Sequence, residues 1–176
     1  MFDSIKLELG YIIVNKRIKH YKLEQKSFNN LLKDSDRFLI LMPANEAHFH
    51  NAIEVLKSLD KLNKNPVVFT QDFRVNMLPA KYRQGVIDFG IADINKFNLP
   101  TTKLEKRIRE FEFDAVIDLE KDENLFNSIL ACLVKAKVSV GFKKRNSDKF
   151  YSLQIDNIED NPEIIYKNLL NCLQMF

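Results

Sequence analysis

Glu46, His48, His50 and Glu54 crowd one short stretch of the chain. Glu46, His50 and Glu54 recur every fourth residue, which sets them on one face of a helix with His48 beside them. Glutamate and histidine can accept protons at neutral pH and ligate divalent metals, so the stretch holds candidates for either role. It contains no cysteine partner and no HExxH pattern, so a solvated helix face is expected, with no metal and no other cofactor. Asp118 and Glu120 form a second group, at the end of the apolar run Phe113-Asp114-Ala115-Val116-Ile117-Asp118-Leu119. A carboxylate inside such a run serves either proton chemistry or the binding of nearby loop amides, and the second role is favoured for Asp118.

Two basic clusters complete the set. Lys143, Lys144 and Arg145, with Lys149 beyond them, follow a strand-like segment and suit an anionic ligand. Phosphate recognition normally adds amides from glycines or a helix N-terminus. Only Gly141 is at hand, so a flexible surface loop is the main expectation. Lys16, Arg17, Lys19, Lys22 and Lys26, interleaved with Tyr11 and Tyr21, form a basic N-terminal segment that either packs as a helix or also contacts a protein or nucleic-acid partner. No RNA- or DNA-binding motif of known spacing accompanies it.

Positioning these residues requires a scaffold, and its outline is readable. From about Ser4 to Leu32 the apolar spacing fits a helix, with a short strand open as an alternative at Ile5 to Leu9. Beyond Arg37, short apolar runs alternate with longer amphipathic ones, as in strand and crossover-helix units. Strands are expected at 38–42, 66–70, 85–89, 113–119, 138–142 and 151–155. Helices are expected from Glu46 to Leu62, after Thr101 or Thr102, from Asn124 to Ala136, and after Asn161-Pro162. The fold class is therefore α/β, a three-layer Rossmann-like arrangement with a mostly parallel sheet. Residues 1–36 form an N-terminal basic helical extension and residues 37–176 a single domain. In an open parallel sheet ligands sit beyond the carboxyl ends of the strands, which brings Asn45, Glu46 and His48 toward Asp118 and Glu120.

The 176 residues and 45% apolar content suffice for one core and leave no room for a second full domain. No apolar run is long enough for a membrane span and no secretory signal is evident, so a cytoplasmic protein is expected. Cys132 and Cys172 lie in apolar helical patterns, where thiols behave as small hydrophobes.

The strand Phe113–Leu119, a following helix ending at Val134-Lys135-Ala136-Lys137, and Val140-Gly141-Phe142 resemble the N-terminal half of bacterial heptosyltransferases, glycosyltransferases built of two Rossmann-like halves. In element order the resemblance spans residues 37–142. The whole chain is also similar to a stand-alone bacterial family of unknown function. The first resemblance implies an acceptor-side scaffold, with an Asp general base in the loop after the first strand. Here Pro43-Ala44-Asn45-Glu46-Ala47-His48-Phe49 occupies that loop, with Ala47 and His48 where the family has Gly and Asp. The resemblance also implies a donor-binding half, and the segment after Phe142 is too short to supply one. The leading expectation is thus a non-catalytic Rossmann-like binding or assembly domain. A split transferase using His48 or Glu46 with a donor-binding partner, and a component of an RNA-containing or anionic assembly, stand as alternatives.

Overall fold

The computed structural model describes residues 2–18, 31–134 and 136–176. Six strands form one sheet: β1 (Arg37–Leu41), β2 (Asn65–Gln71), β3 (Ile87–Phe89), β4 (Ala115–Asp118), β5 (Val138–Phe142) and β6 (Leu153–Ile155). Their spatial order is β3-β2-β1-β4-β5-β6, and every pairing is parallel. This is the doubly wound order, in which the chain moves outward from β1 in one direction and later from β4 in the other.

The helices are α1 (Phe2–Ile18), α2 (Leu31–Asp34), α3 (Glu46–Lys61), α4 (Ala80–Arg83), α5 (Thr102–Arg109), α6 (Leu125–Leu133) and α7 (Pro162–Gln174). Strand alternation divides the core between the two faces of the sheet. Phe38 and Ile40 of β1 join the cluster built on α3 and α7, while Leu39 and Leu41 join the cluster built on α1, α5 and α6. The central strands are buried on both faces, which explains why they are continuous apolar runs.

Helix ends follow local chemistry. Asn45 caps α3 by accepting from the amides of Ala47 and His48, Thr101 caps α5 through Leu104, and Asn161 precedes Pro162 at the start of α7. The segment Asp72–Met77, between β2 and α4, is a 3-10 helix.

Helix α6 is buried along all of its nine residues, because it lies between β4 and α1. Tyr11, Val14 and Ile18 of α1 are buried in that layer, so the N-terminal extension contributes to the core at least through α1. A Cβ on Gly10 would lie 2.9 Å from Leu125 Cδ2, so a larger residue there would require the Leu125 side chain to shift. Each fully buried aliphatic side chain in this layer contributes roughly 1.5–3 kcal/mol. No helix among the described residues is long and apolar enough to cross a membrane.

Candidate functional site: a neutral cleft at the strand ends

Register places Leu41, the last residue of β1, opposite Phe69 of β2 and Asp118 of β4. Just beyond it, where the two halves of the sheet diverge, lies a cleft of about 190 Å³. Its apolar lining is Met42, Pro43, Ala44, Phe89, Ile94 and Phe126. Its polar lining is Thr70, Gln71, Asn98, Asn124 and Asn127, all uncharged. Phe69, Phe89 and Phe126 pack as a trio, with centroids 4.8 Å apart for the first two and 4.7 Å for Phe89 and Phe126. Arg74 braces the rim, donating from Nε to Gln71 Oε1 at 3.0 Å and from Nη2 to the Ala44 carbonyl.

Directly behind the cleft, Asp118 is wholly buried and fully engaged. Its Oδ1 accepts from the Glu120 amide and from Asn127 Nδ2, each at 3.1 Å. Its Oδ2 accepts from the Tyr151 hydroxyl at 2.5 Å and pairs with Lys144 Nζ at 3.2 Å. Lys144 Nζ also donates to the carbonyls of Glu120 and Asp122, at 2.7 and 3.3 Å. Burial and the neighbouring Asp118 hold the Tyr151 phenol well above its ordinary range. The group thus anchors the β4 and β5 loops to one another, with hydrogen bonds that offset the desolvation of both charges.

Glu120 closes the gap between β1 and β4. Its Oε2 accepts from the Ala44 amide at 2.9 Å and its Oε1 from the Asp122 amide at 3.2 Å. Burial pushes its carboxyl above the ordinary range, against the opposing pull of the Ala44 hydrogen bond. In nucleotide-binding proteins with a doubly wound sheet, the loop after the first strand and the next helix start offer amides to phosphate. Here the Ala44 amide is taken by Glu120, and those of Ala47 and His48 by the Asn45 side chain.

The remaining sequence candidates disperse. His48 Nδ1 lies 3.2 Å from the Tyr166 hydroxyl of α7, which itself donates to the Leu119 carbonyl at 2.9 Å. Glu46 is exposed and 3.8 Å from His50 Nε2, while Glu54 pairs with Lys57 at 2.7 Å. None of these four ionisable residues lines the cleft. Among the described residues no group of three or more His, Cys, Asp or Glu side chains is arranged to hold a metal.

In the basic loop the three cations part company. Lys143 pairs with Asp156 at 2.8 Å, Lys144 turns inward to Asp118, and Arg145 pairs with Glu8 at 2.8 Å while lying over the Tyr11 ring. Instead of a wholly solvated loop, the segment is tied to α1, β4 and the strand after it, because a buried carboxylate needs a cation. Of the N-terminal cluster, Lys16 is exposed and Arg17 pairs with Glu105 of α5 at 2.6 Å. Lys19, Lys22 and Lys26 lie outside the described residues.

Sequence reasoning missed the cleft's own polar residues. Asn124 and Asn127 at the start of an expected helix, just after the central strand, were the available signal. Thr70, Gln71 and Asn98 come from other segments and share no spacing with them.

No curated protein and no solved structure matches the chain. A family match covers residues 6–176, nearly the whole sequence, and its description is that of a family of unknown function. The chain therefore belongs to the family of unknown function DUF6913.

Proposed function

We propose that this chain is a non-catalytic, Rossmann-like binding domain whose scaffold derives from the acceptor half of a glycosyltransferase. The observation that carries the reading is the composition of the cleft, which combines neutral amides and a hydroxyl with aromatic and aliphatic side chains. Such linings orient and hold ligands. Acceptor activation needs a base within hydrogen-bond reach of the hydroxyl it deprotonates. Asp118, Glu120 and Lys144 are committed to internal bonds, and His48, at the place of the transferase family's Asp, contacts α7. Using any of the three buried groups for proton transfer would dismantle the loop it supports. The scaffold resemblance across residues 37–142 supports the ancestry.

The test is to incubate the purified full chain with nucleotide-sugar donors and sugar acceptors and to look for products by mass spectrometry. No transferred sugar is expected. Transfer that disappears in His48→Ala, with folding intact, would establish an enzyme and overturn the reading.

A further inference from the structure

We infer that the cleft beyond β1 is a site for one uncharged, planar heterocycle of the nucleobase or nucleoside class, recognised through its amide-like edge and without a phosphate. The inference rests on reading the chain as a binding domain and names the ligand class.

Its foundation is unmet hydrogen bonding in the cleft wall. Asn127 is 4% exposed, and its Nδ2 is spent on Asp118, which fixes the orientation of the amide and leaves Oδ1 as the outstanding acceptor. That oxygen has no partner among the described residues, yet it is not sealed from solvent as Arg74 Nη1 and Arg107 Nε are. Asn124 is its complement. The Asn124 Oδ1 caps α6 by accepting from the Asn127 amide at 3.2 Å, so its Nδ2 is the outstanding donor. Thr70 is 3% exposed and its hydroxyl, able to donate and accept, likewise has no partner among the described residues. With one acceptor and one donor left open to the cleft, a ligand presenting one donor beside one acceptor gains specificity here.

Shape and charge narrow the class. Phe89 and Phe126, packed on each other and 9% and 7% exposed, give the cleft an apolar aromatic wall against which a flat ring can lie. The volume of about 190 Å³ accommodates one ring system and is too small for a dinucleotide. At the start of α3 the amides of Ala44, Ala47 and His48 are already taken by Glu120 and Asn45, which leaves this turn poorly suited to cradle a phosphate. The buried Glu120 carboxyl beside Ala44 would, when ionised, repel an anion as well.

The experiment titrates the ¹⁵N-labelled full chain with adenosine, guanosine, cytidine and uridine, with their 5′-monophosphates, and with glucose and mannose. At least one nucleoside is expected to bind with millimolar or tighter affinity and to shift the amides of Asn98, Asn124 and Asn127. Asn124→Asp keeps the capping oxygen but replaces the donor by an acceptor, and is expected to weaken that binding about tenfold. Phe126→Leu is expected to weaken it as well, by loss of the aromatic wall of the cleft. Absence of nucleoside binding, sugar binding in its place, a monophosphate that binds tighter than its nucleoside, or affinity unchanged in both variants would each overturn the inference. Nucleoside binding accompanied by sugar transfer would instead overturn the non-catalytic reading alone.

Discussion

Lys144 shows how one side chain can decide the meaning of a loop. Its ammonium is drawn into the protein by Asp118, which no solvent reaches, and its side chain is only 8% exposed. Breaking a buried pair from one side leaves the other charge uncompensated and costs about 3–5 kcal/mol. Lys144→Met should therefore destabilise the fold by that order, measured by urea unfolding. Adding Asp118→Asn to Lys144→Met should recover part of the loss, whereas independent, additive losses would show that the two groups are not coupled. Neighbouring Lys143 and Arg145 are more than half exposed at the side chain, and replacing either should change stability by less than about 1 kcal/mol.

At the scale of elements, Glu120 works as a tie between the carboxyl ends of β1 and β4, through the Ala44 amide. Burial raises its folded-state carboxyl above the ordinary 4.5, so folding favours the protonated form. The stabilisation is fully present below 4.5 and is lost as pH rises through the folded value. Glu120→Gln does not titrate, so the wild type should lose stability relative to this variant as pH increases from about 4.5 and then level off. Thermal midpoints at matched pH values check this, and parallel curves would contradict it. The same tie illustrates what a sequence conceals. The strands at 37–41 and 138–142 were legible because burial on both faces favours apolar runs, that at 65–71 from its short apolar centre Val67-Val68-Phe69, and α7 from Asn161-Pro162. Of the residues expected to approach Asp118, His48 reaches only the neighbouring Leu119 carbonyl, through the Tyr166 hydroxyl. The first turn of α3 sends His48 toward Tyr166, and Glu46 remains in water. The inward turn of Lys144 was hidden in a run of cations whose ordinary place is solvent. Likewise, the amides of the cleft come from separate loops, and only the spatial order of the sheet brings them together.

Across the whole molecule, the layer formed by α1 and α6 extends the core of the α/β domain well beyond the sheet itself. Tyr11, Val14 and Ile18 pack with α6 in one cluster, which Tyr151 joins beside Gly141. A Cβ at Gly141 would sit 2.7 Å from the Tyr151 ring, so its absence lets that ring reach Asp118. Burial in the α1–α6 layer pushes the Cys132 thiol up to about 11, while Cys172 on α7 is only half-buried. A thiol-specific reagent at neutral pH should therefore modify Cys172 promptly and Cys132 only after local opening or in denaturant, as mass spectrometry of the two peptides would show. Equal rates at both positions would mean that the layer does not shield α6. The wider consequence is that Cys132 is a built-in clock. Its modification rate, compared with that of an unfolded peptide, reports the free energy of peeling the layer open, with no engineered probe residue.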